Sequence, residues 1–147
     1  MSSDFWSPCW ACRLVAGENC GHLVHETPDV VVALNPFAIN PGHSLVMPRR
    51  HIPNIYELPE MLAGPILSVA AAVARAAKQA FGADGITLRQ NNDAASDQHL
   101  FHFHLHVIPR VAGDHVRFGA PAAMVDDESL AAAAARLRQY LGAETER

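Results

Sequence analysis

The chain has 147 residues, half of them apolar and 18% charged, with three cysteines and a formal net charge of −4 at pH 7. This size and balance predict one globular domain over residues 1–147 with its own hydrophobic core, and the lack of a basic excess argues against nucleic acid as a partner. No uninterrupted apolar stretch reaches the ~18 residues of a membrane span, and the N-terminus does not resemble a signal peptide, so we expect a soluble cytoplasmic protein without a membrane partner.

Short elements are predicted in the first third of the chain. A helical turn that carries the pair Cys9-Trp10-Ala11-Cys12 runs through Val15 and ends near Gly17. The β-branched run at 30–34 is typical of a buried strand, and proline, asparagine and glycine break the chain after it. The strands predicted here are 23–26, 30–34 and 43–48, which indicates a hairpin-like antiparallel arrangement.

Two helices and two further strands are predicted downstream. A helix is predicted to begin at Pro59, because proline suits the first turn of a helix. Apolar residues recur at helical spacing as far as Phe81, and Gly82 is the expected C-terminal cap. The last helix begins with the acidic residues 126–128 and runs to about Leu141, so that 126–147 form a C-terminal helix and tail. Strands are expected at 86–90 and 101–110. Strands and helices segregated in this way indicate an α+β domain with a mainly antiparallel sheet.

The most informative segment is the run of residues 101–110, in which three histidines alternate with large apolar residues. Successive side chains of a strand point to opposite faces. We therefore expect His102, His104 and His106 on one open face, and the residues between and beside them in the core (Phe101, Phe103, Leu105 and Val107). The outer two histidines of a straight strand lie ~13 Å apart, so one metal ion cannot bind all three.

A row of imidazoles also suits chemistry at phosphorus. Imidazole is a good nucleophile near neutral pH, and protonated neighbours stabilise phosphate oxygens.

The pattern His102-x-His104-x-His106, each followed by an apolar residue, resembles the signature of the histidine-triad (HIT) nucleotide hydrolases and transferases. The run Gly42-His43-Ser44-Leu45-Val46-Met47-Pro48-Arg49-Arg50-His51 resembles the family's Gly-His strand, and Gln90-Asn91-Asn92, Gln98 and Pro109-Arg110 fall at the family's spacing. The resemblance covers Cys9 to about Gly113. It implies an antiparallel sheet of about five strands with two helices, and a homodimer, for which the helix from Pro59 to Phe81 is the candidate interface.

The resemblance also implies a role for each polar residue of the motifs. His104 would attack the α-phosphorus of a nucleotide derivative to give a nucleotidyl-histidine intermediate, and His106 would contact the α-phosphate oxygens. His43 and His102 would manage protons beside the leaving group. The candidates for binding the ribose and phosphate are Asn35, Asn91, Gln98 and His99.

Two positions depart from the family's pattern. Asp97 stands where a glycine is usual, and its carboxylate would repel a bound phosphate unless it turns outward or pairs with a base. His99 stands where a serine or threonine hydroxyl usually meets the phosphate, and it would donate a hydrogen bond when charged.

The Cys9-x-x-Cys12 pair allows a zinc site, an unmetallated thiol pair or a disulfide; no strand precedes it, unlike thioredoxin-type redox motifs. Bacterial histidine-triad proteins with an N-terminal CxxC complete a structural zinc with two histidines, and the resemblance matches these to His51 and His102. Residues 1–20 would then be a zinc-binding segment with a closed Cys2His2 set. If His102 binds zinc, it cannot also carry protons, and it would instead hold His104 in register.

These features predict a metal-independent hydrolase or transferase that releases a nucleoside monophosphate from a phosphoramidate, an anhydride or a dinucleoside polyphosphate. The alternatives are a phosphorylase or transferase with phosphate or a sugar phosphate as acceptor, and a nucleotide-binding protein with weak catalysis. A metallohydrolase comes last.

Overall fold

The computed structural model describes residues 3–145, which form five strands and three α-helices joined by loops and short 3-10 turns. The strands are β1 (Leu23–Glu26), β2 (Val30–Leu34), β3 (Ser44–Pro48), β4 (Gly85–Arg89) and β5 (Leu105–Arg110). The helices are α1 (Trp10–Val15), α2 (Glu60–Phe81) and α3 (Asp127–Thr145). Apart from the start of β5, these bounds agree with the predicted elements to within a few residues, and the predicted helical turn at the cysteines is α1.

All five strands belong to one antiparallel sheet in the order β1-β2-β3-β5-β4. The predicted α+β class and the five-stranded antiparallel sheet are therefore confirmed. In this order β5 lies between β3 and β4, so that His106 pairs with Leu45 on one side and with Arg89 on the other.

Helix α2 covers one face of the sheet together with α3. It follows Pro59 and ends at Gly82, which adopts the left-handed conformation (φ +61°) that a glycine cap permits. Its buried stripe includes Leu62, Ile66 and Val73, at the helical spacing read from the sequence. By length and composition α2 does meet the requirements for crossing a membrane, contrary to our expectation from uninterrupted apolar runs. Its stripe packs into the core beneath the sheet, as in the core helix of a folded domain.

The N-terminal segment packs against the opposite face of the sheet. Trp6, Trp10 and Leu14 form a second core with residues of β2 and β3 that alternate with those facing α2. Trp10 also donates a hydrogen bond from Nε1 to the carbonyl of Cys20, at 2.9 Å. β2 and β3 are therefore buried on both faces. Leu45 belongs to this second core and pairs with His106, so α1 packs on the same side of the sheet as His106.

The histidine segment differs from the straight strand expected at 101–110. Strand β5 begins only at Leu105, and residues 101–104 are irregular. The amide of Phe103 donates to the carbonyl of Ile52, which ties this segment to the turn after β3 instead of to a strand ladder. Consequently Phe101 is 50% exposed rather than part of the core, whereas Phe103 and Val107 are buried as predicted.

Candidate active site and metal centre

Four side chains meet beside the N-terminus of α1. Cys9, Cys12, His51 and His102 each direct one ligand atom into a group whose members all lie within 4.8 Å of one another. The Sγ atom of Cys9 lies 3.4 Å from His102 Nδ1, and the Sγ atom of Cys12 lies 3.3 Å from His51 Nδ1 and 3.7 Å from His102 Nδ1. Tetrahedral bonds of about 2.3 Å to sulfur and about 2.0 Å to nitrogen bring ligand atoms to such separations.

His102 is oriented for metal binding by a hydrogen bond from its other ring nitrogen. The ring is fully buried, and Nε2–H donates to the carbonyl of Pro48 at 2.7 Å, which leaves the Nδ1 lone pair facing the two sulfurs. Burial lowers the pKa of His102 to about 4, so the ring is neutral at pH 7, as a ligand must be.

This Cys2His2 set fits a structural zinc, as predicted, and Cys9 and Cys12 are free thiols rather than a disulfide. The structure places His102 in this cluster with both ring nitrogens engaged, so we correct the alternative expectation that His102 carries protons beside the leaving group.

His104 is presented as a neutral imidazole with one free nitrogen. Its Nδ1–H donates to the backbone carbonyl of His102 at 2.7 Å, so the lone pair resides on Nε2. Burial lowers the pKa of His104, which keeps the ring unprotonated at pH 7. Among residues 3–145, none forms a hydrogen bond with Nε2. Every polar side-chain atom that is fully buried there does have a partner, so Nε2 is not fully buried. His104 Nε2 therefore keeps a free lone pair, as a nucleophile must, although His104 is only 6% exposed and is not among the residues that line the cavity described below.

A chain of hydrogen bonds fixes the protons on the next two histidines. The amide of Ile39 donates to His43 Nδ1 at 3.0 Å, so the single proton of a neutral His43 must lie on Nε2. That Nε2–H donates to His106 Nδ1 at 2.9 Å, which leaves the proton of His106 on its own Nε2. The amide nitrogen of Asn35 lies 3.4 Å from His43 Nε2, too far to displace the shorter bond. His106 therefore offers an N–H donor to a bound ligand.

Burial keeps both of these histidines neutral. It lowers the pKa of His43 to about 3, with smaller electrostatic contributions from His104 and Arg89. Burial also lowers the pKa of His106 well below its usual value, again reinforced by its neighbours. The site therefore has little positive charge from imidazolium at pH 7.

A cavity of about 270 Å³ opens beside these rings, and the ring of His104 packs edge-on against that of His106 with centroids 4.9 Å apart. Five of the predicted site residues line the cavity: Asn35, His43, Asn91, His99 and His106. Its apolar walls include Phe37, Ile39 and Ile108. This combination of apolar walls and a few polar groups is typical of a small-molecule site.

Gln98 is not among the residues that line this cavity. It is buried, its Oε1 accepts from the amide of Asp93 at 2.7 Å, and its Nε2 donates to the carbonyls of Pro53 and Leu100. With its side chain fully engaged, Gln98 holds the loop that leads into the histidine segment. The prediction that it contacts the substrate is replaced by this structural role.

Asp97 pairs with a base, one of the two arrangements that avoid repulsion of a phosphate. Its Oδ2 atom lies 3.9 Å from a guanidinium nitrogen of Arg89. The residue has φ +64°, a left-handed conformation that glycine adopts freely and aspartate tolerates better than most residues.

Two charged residues of the cavity wall, Arg89 and Arg117, were not among the candidates from sequence. Arg89 is a charge at the end of an otherwise uncharged strand, immediately before the Gln90-Asn91-Asn92 motif, and that position is a usable signal. Arg117 lies in the irregular segment after β5, where nothing in the sequence distinguishes it from a solvated surface charge.

Comparisons with known proteins agree with this geometry. The model of the protein family described as "HIT domain" matches residues 16–113 of this chain. Adenylylsulfatase HINT3 of Arabidopsis thaliana is 32% identical over 113 residues, which are 77% of this chain and 57% of that protein. A zinc-bound histidine triad family protein from Mycobacterium smegmatis superposes with a TM-score of 0.84 at 27% identity, covering 99% of each chain. A hypothetical histidine triad nucleotide-binding protein from Sulfolobus tokodaii gives a TM-score of 0.83 at 27% identity, covering 92% of this chain and 93% of that one. The chain belongs to the HIT family, whose members include nucleotide-binding proteins.

Proposed function

We propose that this protein is a nucleotidyl hydrolase or transferase that works through a covalent intermediate on His104. The observation that carries the proposal is the hydrogen bond from His104 Nδ1–H to the His102 carbonyl, because it leaves Nε2 unprotonated on a ring that packs against His106 of the cavity wall. The substrate is a nucleoside 5′-phosphate derivative with a phosphoramidate, anhydride or dinucleoside polyphosphate linkage, and water is the default acceptor.

The reaction has two displacements at the α-phosphorus. In the first, His104 Nε2 forms a P–N bond while the bond from phosphorus to the leaving group breaks. The leaving group takes the electron pair, and an amine also takes a proton from solvent. In the second, water attacks phosphorus, the P–N bond breaks, and its electron pair returns to the imidazole. The proton lost by water passes to solvent, and the product is a nucleoside monophosphate.

The hydrogen-bond chain from Ile39 through His43 gives His106 its part in both displacements. It fixes the His106 proton on Nε2, where it donates to a non-bridging oxygen of the α-phosphate as negative charge grows there. Asn35 and Asn91, both on the cavity wall, provide polar contacts for the ribose and phosphate.

We also propose that zinc, held by Cys9, Cys12, His51 and His102, is structural in this chain. A bound zinc supplies rigidity and no chemistry, because four protein ligands close its coordination shell. The zinc-bound Mycobacterium smegmatis relative supports this assignment. Nucleotide turnover is therefore expected to be insensitive to added magnesium and to brief exposure to chelator.

The expected homodimer remains part of the proposal. β4 is an edge strand, and Leu88 on it is exposed, as are Met61 and Leu67 on α2. Exposed apolar residues beside an unpaired sheet edge favour association with a second copy. Gel filtration of the purified chain with light scattering tests this part, and a monomeric mass at all concentrations would contradict it.

The decisive experiment is a panel of nucleotide conjugates that varies the base and the leaving group, with release of nucleoside monophosphate as the readout. Wild type should release product, His104→Ala should not, and His115→Ala, which replaces an exposed histidine outside the cavity, should match wild type. Rapid acid-free quenching followed by mass spectrometry should find the nucleotidyl group on His104. Nucleotide binding without release from any conjugate would overturn the enzymatic proposal in favour of a binding protein.

A further inference from the structure

The sheet register places Arg89 on the same face as the catalytic histidines. Arg89 on β4 lies directly opposite His106 on β5, and opposed residues of antiparallel strands project to the same side with Cβ atoms about 5 Å apart. Its side chain lines the cavity and is 29% exposed. Arg89 therefore belongs to the same cavity wall as His106, the residue proposed to contact the α-phosphate.

The segment after β5 brings a second guanidinium to the cavity. Asp114 accepts two hydrogen bonds from Arg110, at 2.7 and 2.8 Å, and one from Asn40, which fixes the start of this segment. Phe118 then packs between two arginines, with the guanidinium carbon of Arg89 4.7 Å and that of Arg110 5.7 Å from the ring centroid. Arg117, next to this anchored ring, lines the cavity.

The charges on the cavity wall favour an anion larger than one phosphate. Among the described lining residues, Arg89 and Arg117 are the permanent cations and Asp97 is the carboxylate. The Asp97 contact to Arg89 is loose, at 3.9 Å, and its side chain is 58% exposed. An exposed ion pair of this kind is weak, so an anionic group of the substrate can replace Asp97 on the arginine. His106 already provides a donor to the α-phosphate, which leaves the arginines for charge beyond it.

The different proton requirements of amine and oxyanion leaving groups agree with this distribution of charge on the cavity wall. An amine must gain a proton as its bond to phosphorus breaks, and His43 and His106 are neutral at pH 7 because burial lowers their pKa values. An oxyanion leaves with its electron pair and needs no proton.

We propose that Arg89 and Arg117 bind an anionic leaving group and so select nucleoside 5′-phosphoanhydrides over phosphoramidates of neutral amines. The P–O bond between the α-phosphorus and the bridging oxygen breaks, and a phosphate, polyphosphate or sulfate departs with the electron pair. This inference rests on the proposed function, since it concerns the group that His104 displaces.

The test compares kcat/KM for three adenosine derivatives: diadenosine triphosphate, adenosine 5′-phosphosulfate and adenosine 5′-phosphoramidate. Arg89→Gln and Arg117→Gln should each lower the ratio of anhydride to phosphoramidate turnover about 10- to 100-fold, the size expected for a lost charge-assisted hydrogen bond. Arg50→Gln, an exposed arginine outside the cavity, should leave the ratio unchanged. Asp97→Asn, which the left-handed conformation tolerates, should raise the ratio because the competing carboxylate is gone.

The outcomes separate this inference from the proposed function. Equal losses on all three substrates, or no loss, would overturn the role of the arginines in leaving-group selection while His104-dependent turnover stands. A loss confined to diadenosine triphosphate would also overturn it, since sulfate carries the same kind of charge. Thermal melts of each variant establish that it is folded, and Arg117→Lys, which keeps the charge, should recover part of the ratio.

Discussion

His104 donates a hydrogen bond to the backbone carbonyl of His102, and the side chain of His102 belongs to the Cys2His2 cluster. The two residues therefore join the metal centre to the proposed nucleophile through a single peptide carbonyl. The His102 ring is held on both sides, by the sulfur atoms at Nδ1 and by the Pro48 carbonyl at Nε2. An anchored ring fixes the carbonyl, and the carbonyl fixes the orientation and tautomer of His104.

Replacing one thiol ligand tests this link. Cys12→Ser should lower bound zinc from about one ion per chain to near zero, lower the melting temperature, and reduce kcat about 10- to 100-fold with a smaller effect on KM. Elemental analysis, thermal denaturation and steady-state kinetics measure the three effects. Cys20→Ser is the matched control, because Cys20 lies outside the cluster. Zinc loss with unchanged kcat would show that the cluster does not position His104.

The proton assignment on His106 makes a prediction that distinguishes its two nitrogens. The amide nitrogen of glutamine reaches the place of Nε2, whereas that of asparagine reaches the place of Nδ1. We expect His106→Ala and His106→Asn to lose about 10²- to 10³-fold in kcat, the usual cost of removing one donor to a developing charge, and His106→Gln to keep most of the activity. Steady-state kinetics on a single substrate measures this order. If asparagine restores activity better than glutamine, the assigned tautomer is wrong.

The neutral histidines predict a loss of stability in acid. The pKa of His43 is lowered from 6.5 in the unfolded chain to about 3 in the folded one, so below pH 6.5 the unfolded state binds more protons. The stability present above pH 6.5 is therefore lost progressively as the pH falls towards 3. At pH 4.5 this site alone lowers the free energy of unfolding by about 3 kcal/mol, and His106, whose pKa is also lowered, adds to it.

Urea denaturation of the zinc-loaded protein at pH 7.5, 6 and 4.5 checks this slope. His43→Gln should flatten the pH profile while lowering the overall stability, because it removes the titrating ring from the core. His115→Asn, at an exposed position outside the cavity, should keep the slope of wild type. A profile that is equally steep without His43 would contradict the assignment.

The sheet and the long helices could be predicted from sequence because their signals are local. The β-branched run of β2 and the apolar spacing of α2 between Pro59 and Gly82 depend on neighbouring residues only. The strand predicted at 101–104 was wrong for a non-local reason: alternation holds there, yet the amide of Phe103 and the ring of His102 bond to residues 48–52.

The site was predictable in part, for the same reason. The four metal ligands and five of the cavity residues were candidates because the family resemblance assigns a role to each of them. Arg89 reaches the site through its register with His106, and Arg117 reaches it through a loop held by Asp114 and Phe118. Such positions depend on strand register and on contacts between residues that are distant in sequence, and the pattern of a single sequence does not specify these.

Gly42 is the backbone position on which His43 most depends. It has φ +88°, and an added Cβ would lie 2.3 Å from Cε2 of Phe81, at the end of α2. Gly42→Ala therefore combines left-handed strain with a clash against an aromatic ring, and should lower the free energy of unfolding by about 2–5 kcal/mol. Relief of the clash also shifts His43 from its hydrogen bond to His106, so kcat should fall as well.

Gly142→Ala is the control. It lies at an exposed position in α3 where an added Cβ meets no other atom, so it should raise stability by up to about 1 kcal/mol and leave kcat unchanged. Urea denaturation and kinetics of the two variants give the comparison, and a Gly42→Ala protein as stable as wild type would contradict the close approach of Phe81.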